Sequence, residues 1–504
     1  MTAGPFRPQE RLLSPSPNST PRPAEPGAEP PLCVDLDGTL IRSDLGLESL
    51  LVAVRDHPSL ILRLPFFIAR GRAALKAAVV ESGVDIDPAR LPYNDDVLAF
   101  VREQRTQGRR IVLATASHRR LVEPVAAHLG LFDAVEATEG AVNLKGPRKA
   151  ARLVQRFGER GFDYIGDSLA DGAVWQHARQ ALVVGGQRRG AEGVGDKPPV
   201  YFPSSPQRLR YLFKATRPHQ WVKNLLVFAV LIAAHAFADI NLWIRAALAF
   251  LSFGCCASSV YVLNDLLDLQ LDRAHPRKRQ RPFASGRLPL GFGLAMAPLL
   301  LLAAVVLAAF LPPLFGLALA YYYVTTCAYS LWLKRVALVD VFALAALYTL
   351  RLIAGAAAVA IAPSFWLLAF SMFLFLGLAI VKRYAEVVES RALDSAGAAG
   401  RGYGPGDAEV LVSLGSASAF AAVVVLALYV NSETVMQNYR LPQAIWLLCP
   451  LLLYWLSRLW LKARRGLLDD DPIVFALRDG VSLMIVAISA VVLAIATVGP
   501  IFSG

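Results

Sequence analysis

Asn264-Asp265-Leu266-Leu267-Asp268-Leu269-Gln270-Leu271-Asp272 runs on into Arg273-Ala274-His275-Pro276-Arg277-Lys278-Arg279-Gln280-Arg281-Pro282 and follows directly on an apolar run from Ala246 to Leu263. Three carboxylates at spacings of three and four residues share one face if the run continues as a helix. At that density they repel one another and need a cation between them. Oxygen-only ligands at a membrane edge suit Mg2+, which keeps several waters and accepts diphosphate oxygens as further ligands. The basic residues that follow offer partners for phosphate charge. Without chemistry, the same stretch is a solvated helix end followed by a basic loop. The coincidence of the carboxylate spacing, Asn264 and the basic tail favours a site for metal and phosphate.

Outward from this stretch the chain changes character. Residues 1–210 carry most of the ordinary polar sequence, and from about residue 224 long apolar runs alternate with short charged breaks. The 504 residues are 55% hydrophobic with mean hydropathy +0.45, too apolar for a wholly soluble protein. A net charge of +12 could serve nucleic acid or anionic lipid. The Lys and Arg cluster beside apolar runs, so lipid and phosphate are the expected partners and nucleic acid is not. Five Cys without a CxxC pair indicate neither a disulfide framework nor zinc. Residues 1–30, rich in Pro, Ser and Glu and lacking a signal-peptide pattern, are expected to be a disordered tail.

Nine apolar segments are expected to span a membrane: 222–239, 243–263, 290–311, 313–332, 337–360, 364–381, 408–431, 443–461 and 478–499. The breaks at 264–289, 333–336, 382–407 and 462–472 hold dense Lys and Arg, whereas those near 240, 312, 362 and 432–442 hold few. The positive-inside rule puts the basic loops and the polar N-terminal half in the cytoplasm, with the chain multi-pass in the inner (plasma) membrane. Oligomerisation is left open.

The polar half reads as α/β. Leu32-Cys33-Val34 leads into Asp35-Leu36-Asp37-Gly38-Thr39, Ile111 to Ala114 ends at Thr115-Ala116-Ser117, and Phe162 to Gly166 ends at Asp167-Ser168-Leu169-Ala170-Asp171. Helical patterns separate these strands, which argues for a parallel sheet with ligands at the carboxyl ends of its strands. Asp35 can attack phosphorus, and Asp37 can protonate the leaving oxygen and later activate water. Thr115 and Lys145 can hold phosphoryl oxygens, with Ser117 an alternative to Thr115. Asp167 and Asp171 can complete a Mg2+ site with Asp35. The order DxDGT, Thr, Lys, GDSxxD resembles the haloacid dehalogenase-type phosphotransferases. The second Asp of DxDGT implies a phosphatase, with residues of about 45–95 as a small helical cap.

In the apolar half, polar residues gather near the expected inner boundary. Arg217, Trp221, Lys223 and Asn224 precede the first segment, as phosphate partners or as interfacial anchors. Tyr329 and Lys334 end the fourth and Asp340 begins the fifth. Arg351 lies inside the fifth, where an ionisable residue is a functional candidate or a buried partner of Asp340. Lys382, Arg383 and Glu386 end the sixth, with the cations set to bind phosphate and Glu386 a metal or hydroxyl. The loop of Arg464, Arg465, Asp469, Asp470 and Asp471 reads as structural.

NDxxDxxxD followed by HPxKxxRP resembles the first Asp-rich motif of the UbiA-type intramembrane prenyltransferases. RPxQWVKN at 217–224, KRxxE at 382–386 and DDPxxFALRD at 470–479 are similar to one branch, the decaprenyl-phosphate phosphoribosyltransferases. The second DxxxD motif of the usual prenyltransferases is replaced here by Lys382, Arg383 and Glu386. Tyr384 and a glycine-rich stretch at 396–406 depart from the branch pattern. The resemblance implies residues 31–200 as a phosphatase-like domain, 201–216 as linker and 217–504 as a nine-helix all-α transferase domain. It further implies transfer of 5-phosphoribose from phosphoribosyl diphosphate to a polyprenyl (decaprenyl) phosphate, with Mg2+ held by Asp265, Asp268 and Asp272. Arg277, Lys278 and Arg281 would assist departure of diphosphate, and Lys223, Lys382 and Arg383 would clamp substrate phosphates. The fusion suggests that the soluble domain removes the 5′-phosphate of the product. Two other readings stay open: a prenyltransferase acting on an aromatic or other acceptor, and a non-enzymatic membrane scaffold or transporter.

Overall fold

The computed structural model describes residues 29–70, 78–79, 81–139, 143–185, 191–203, 208–392, 402–468 and 471–498. Residues 1–28 of the expected tail, 396–401 of the glycine-rich stretch, and Asp469 and Asp470 lie outside the described residues. The chain divides into two compact units, residues 1–49 with 64–206 and residues 50–63 with 207–504.

The first unit is built on a parallel six-stranded sheet in the order β3-β2-β1-β4-β5-β6. Its strands are β1 (Leu32–Val34), β2 (Ile111–His118), β3 (Ala134–Thr138), β4 (Asp163–Gly166), β5 (Gln180–Val184) and β6 (Val200–Phe202). β1 pairs in parallel with both β2 and β4, Cys33 lying opposite Val112 on one side and Tyr164 on the other. Alternate residues feed two cores. Val34, Leu113, Ile165 and Leu182 face a cluster with Val97, Val101, Val122 and Val125, supplied by helices α2 (Asp95–Thr106) and α3 (Arg119–Leu129). Cys33, Val112, Tyr164 and Val183 face Ala150 and Leu153 of α4 (Pro147–Phe157), with Trp175 beside them. The expected cap region holds α1 (Leu45–Asp56) and a second helix, Leu60–Ala69. Sequence reading found three of the six strands. β6 takes in Tyr201 and Phe202, the first residues of the expected linker.

The strand order reverses between β1 and β4, because the chain runs outward through β2 and β3 and then returns to the other side of β1. That reversal opens a crevice at the strand ends where ligands of such sheets bind. Asp35 follows β1 there and Asp167 follows β4.

The second unit is helical. Eight helices in the described residues are long and apolar enough to cross a membrane. They contain α5 (Ile240–Leu267), α6 (Leu290–Ala308), α7 (Pro313–Leu331), α8 (Val339–Val359), α9 (Phe365–Ala392), α10 (Ala408–Val430), α11 (Leu448–Arg464) and α12 (Gly480–Val498). Their length and hydropathy make the chain a multi-pass membrane protein. α5 and α8 are the central ones, 61% of each apolar window being buried against 22–39% in the others.

The first expected span, 222–239, is not a long helix. Pro218–Phe228 is a 3-10 helix, Ala229–Ala233 adds little more than one α-turn, and His235 takes a left-handed φ of 54°. A 3-10 helix rises about 2.0 Å per residue, so a short stretch covers depth that an α-helix would need more residues to cross. Its polar residues also turn inward. Lys223 and Asn224 are buried, and Trp221 donates from Nε1 to Ser258 Oγ at 2.9 Å rather than standing in an interface belt. Gly355 of α8 allows this close approach, since a Cβ there would lie 2.2 Å from the Val227 carbonyl oxygen. Gly355→Ala must therefore push the 218–228 segment away. The expected loss is about 1–3 kcal/mol, as for other overpacked cores, and thermal unfolding of the detergent-solubilised protein measures it.

Candidate active sites

The soluble site is built at the carboxyl ends of β1, β2 and β4. Asp35 is tied to β4 through its amide, which donates to the Ile165 carbonyl at 3.0 Å, and its Oδ1 accepts from the Leu36 amide at 2.9 Å. Gly38 takes φ +77°, and a Cβ there would sit 2.2 Å from Asp167 Oδ2, so only glycine fits this turn. Asp37 accepts from the Leu45 amide at 2.7 Å and from Ser117 Oγ at 2.6 Å, with Thr115 Oγ1 at 3.4 Å. Both candidates for the second motif thus meet Asp37. Asp171 is held by the Ser168 amide and hydroxyl at 3.0 and 2.6 Å and by the Tyr164 hydroxyl at 2.9 Å.

The ammonium beside the first aspartate belongs to Lys149, not Lys145. Lys149 Nζ lies 3.0 Å from Asp35 Oδ1 and 3.6 Å from Asp171 Oδ1, and donates to the Tyr164 hydroxyl at 2.7 Å. Lys145 is exposed in the loop before α4. The signal lay in Gly146-Pro147, which starts a helix and places Lys149 in its buried first turn.

Burial pushes Asp35 up to about 8 against the pull of Lys149, and Asp171 and Asp37 add to the rise. Burial likewise carries Asp167 to about 7, and burial with the Asp44 carboxylate carries Asp37 to about 6. Carboxyl oxygens of Asp35, Asp167 and Asp171 lie within 4.8 Å of one another. Three carboxylates so close, with burial raising the proton affinity of Asp35 and Asp167, fit a divalent cation, which would replace the protons of those two and restore the carboxylates.

The membrane site forms where α5 ends. Asp265 and Asp272 are buried at 2% and 3% exposure and share Arg281, whose Nη1 lies 3.2 Å from Asp265 Oδ1 and 2.6 Å from Asp272 Oδ2. Arg217 also donates to Asp265. Asp268 faces Lys334 Nζ at 3.0 Å. Burial raises Asp272 to about 6 in spite of Arg281. Asn264 Oδ1 is buried without a hydrogen-bond partner. The repulsion expected among the three acids is thus relieved by side-chain cations. Among the described residues no oxygens of these acids form a trio as tight as that of Asp35, Asp167 and Asp171. An all-oxygen set with a spare Asn264 oxygen still fits Mg2+ bound together with a diphosphate. The phosphate oxygens would take the guanidiniums and the carboxylates would take the metal.

The other expected residues are distributed differently. Arg277 is exposed, with Nη2 3.9 Å from Glu389 Oε1, and Lys278 is half-buried. Arg383 is fully buried against Asp340 at 2.5 Å and Glu386, so it ties helices together rather than opening toward a phosphate. Glu386 is that pair's second carboxylate. Asp340, taken by Arg383 and the Tyr403 hydroxyl at 2.5 Å, is not the partner of Arg351. Arg351 instead donates to Asn224 Oδ1 at 3.0 Å, the Leu347 carbonyl at 2.6 Å and the Tyr322 hydroxyl at 2.8 Å. Asp471, read as structural from sequence, lies in this polar interior. It accepts from Lys223 Nζ at 2.6 Å, Lys382 Nζ at 3.0 Å and the Tyr348 hydroxyl at 3.1 Å. Burial would raise its pKa, but the two ammoniums hold it well below the ordinary carboxylate range. Its helix-capping signal, Asp before Pro472, was visible, but its partners lie 248 and 89 residues away.

Comparison with known proteins agrees with both halves. Residues 225–478 match the UbiA prenyltransferase family, and residues 32–173 match the haloacid dehalogenase-like hydrolases. An uncharacterized protein of Sinorhizobium fredii is 37% identical over 91% of this chain and 90% of its own length. Decaprenyl-phosphate phosphoribosyltransferase of Mycolicibacterium smegmatis is 38% identical over 182 residues, 35% of this chain and 57% of that protein. The structure of a UbiA homolog from Archaeoglobus fulgidus bound to GPP and Mg2+ aligns with 56% of this chain and 99% of its own, at 19% identity and a TM-score of 0.44. The chain therefore belongs to the UbiA prenyltransferase family, and carries a haloacid dehalogenase-like hydrolase domain in its N-terminal part.

Proposed function

We propose that the membrane domain transfers 5-phosphoribose from phosphoribosyl diphosphate to a polyprenyl phosphate, and that the soluble domain then hydrolyses the 5′-phosphate of the product. The observation that carries the first step is the alternation of Asp265, Asp268 and Asp272 with Arg217, Arg281 and Lys334 where α5 ends. Such a set can exchange its internal ion pairs for a bound diphosphate and its counter-ion. Mg2+ held by these acids, and by Asp35, Asp167 and Asp171 in the soluble domain, supplies charge neutralisation at phosphate oxygens. Arg217, Arg281 and Lys334 orient the diphosphate leaving group. The lipid phosphate is already an anion and needs little base catalysis, so positioning supplies most of the acceleration. The stretch of sequence shared with decaprenyl-phosphate phosphoribosyltransferases supports this donor over a prenyl diphosphate. The positive-inside reading of the basic loops supports a cytoplasmic face for both sites.

Solubilised protein incubated with Mg2+, polyprenyl phosphate and labelled phosphoribosyl diphosphate should give a labelled lipid whose mass identifies it. If label enters lipid-soluble product only from prenyl diphosphate, in the presence of an aromatic or other acceptor, the reading as a prenyltransferase replaces this one.

In the soluble domain Asp35 attacks phosphorus, Asp37 protonates the departing ester oxygen, and Asp37 then deprotonates the water that hydrolyses the phospho-aspartate. Lys149 opposes the burial that raises Asp35 and so favours its anion. Lys149→Met should reduce hydrolysis of p-nitrophenyl phosphate by about 100-fold or more, a loss of some 2.7 kcal/mol of transition-state stabilisation. Lys145→Met should leave it within about twofold, far inside that effect. With Asp37 raised to about 6, the acid form that donates the proton is lost as pH climbs past that value, so kcat should fall on the alkaline side. Asp44→Asn removes a carboxylate that raises Asp37, so this limb should shift to lower pH in a pH–rate profile.

A further inference from the structure

The interior around Arg351 contains a buried cation with no carboxylate of its own and a buried amide with hydrogens to spare. Arg351 is 4% exposed, and its hydrogen bonds go to neutral oxygens of Asn224, Leu347 and Tyr322. Its guanidinium lies over the rings of Tyr322 and Tyr348, at 4.9 and 5.4 Å from their centroids. Lys223 approaches the same Tyr348 ring at 5.7 Å. Asp471 is engaged by Lys223, Lys382 and Tyr348 and makes no ion pair with Arg351. Asn224 is 1% exposed and spends its Oδ1 on Arg351, which fixes the orientation of the amide. Its Nδ2 is then buried with no acceptor among the described residues. A buried donor left unmet costs about 1–3 kcal/mol, and a buried charge without a counter-ion costs more. Both costs vanish if an anion with several acceptor oxygens enters.

We propose that Arg351, Asn224 and Lys223 form a phosphate-monoester subsite, separate from the cluster of Asp265, Asp272 and Arg281. A tetrahedral phosphate monoester carries about −1.5 to −2 charges and three free acceptor oxygens. These can meet the guanidinium, the ammonium and the Asn224 amide together. Asp471 holds Lys223 in place for it. Two substrates carry that chemistry: the headgroup of a polyprenyl phosphate, and the 5-phosphate of phosphoribosyl diphosphate. The choice of these two rests on the proposed transfer reaction. Binding is read without turnover, so the subsite and the reaction can fail separately.

The test is calorimetric titration of full-length protein in detergent with farnesyl phosphate and with ribose 5-phosphate, farnesol serving as the uncharged control. Wild type should bind at least one monoester in preference to farnesol. Arg351→Met and Asn224→Leu should each weaken that binding by about tenfold or more, equivalent to 1.4 kcal/mol. Arg351→Lys should recover part of it, and Arg440→Met, an exposed cation outside both clusters, should leave it within about twofold. Loss confined to farnesyl phosphate assigns the subsite to the lipid, and loss confined to ribose 5-phosphate assigns it to the donor. The proposal is overturned if wild type binds neither monoester, if both variants bind like wild type, or if Arg440→Met weakens binding as much as they do. Should Arg351→Met fail to melt cooperatively, Asn224→Leu, which removes an unmet donor rather than a charge, decides the matter.

Discussion

Asp35→Asn in the full-length protein is expected to lower phosphate-ester hydrolysis by on the order of 10⁴-fold or more, the scale seen when a covalent nucleophile is removed. The amide is isosteric with the carboxylate but has no charge with which to attack phosphorus. Two local changes accompany the substitution. Lys149 loses its 3.0 Å partner and keeps Asp171 at 3.6 Å, and the acid trio at the strand ends loses one of its three members. The fold should survive, because the Asp35 amide still bonds Ile165 and β1 still pairs with β2 and β4. The membrane domain should still make phosphoribosyl lipid at a rate within about twofold of wild type, since the two sites belong to separate units and share no residue. The product should now retain its 5′-phosphate, which mass spectrometry of the extracted lipid resolves directly. If the phosphate still leaves at the wild-type rate, the soluble domain acts on some other ester and the two activities are not consecutive.

The parts of this molecule legible in sequence were those set by local pattern. Asp35, Asp37, Asp167 and Asp171 follow short buried strands, so strand periodicity alone put them at one end of a sheet. β3, with Glu136 in the middle of five residues, and the short edge strand β6 gave too weak an alternation to be found. Sequence reading names the loop lysine, Lys145, and passes over Lys149. Yet α4 turns Lys149 inward, and its burial is offset by Asp35, Asp171 and Asp37, which the local sequence does not place beside it. The same reason hid Asp471. Acidic residues in a basic loop read as structural, and nothing local shows that Lys223 and Lys382 converge on one of them. Hydropathy misjudged residues 222–239 because it counts apolar residues without asking where Lys223 and Asn224 point. Once those two are buried against α8, a short 3-10 helix suffices where a long α-helix was expected.

Asp265→Asn and Asp268→Asn together separate a metal–phosphate site from a structural ion network. Asp265 is buried with Arg217 and Arg281, so removing its charge takes the carboxylate from Arg217 and leaves Arg281 with Asp272. Breaking a buried pair by deleting one partner costs about 3–5 kcal/mol, and the thermal midpoint should fall accordingly. Asp268 is more exposed than Asp265, at 15% against 2%, and has one cation, Lys334, where Asp265 has two, so its loss should cost less. The two variants should therefore differ in stability. If both acids serve the diphosphate through a bound cation, they should not differ in activity, and each should lose transfer by about 10³-fold, or some 4 kcal/mol of transition-state stabilisation. If the acids only hold helices together, activity should follow stability instead, with Asp268→Asn nearly normal at temperatures where it is folded. The measurement is Mg2+-dependent transfer from labelled phosphoribosyl diphosphate, taken well below each variant's melting point. A folded, active Asp268→Asn enzyme would remove the case for a three-carboxylate metal site at the end of α5.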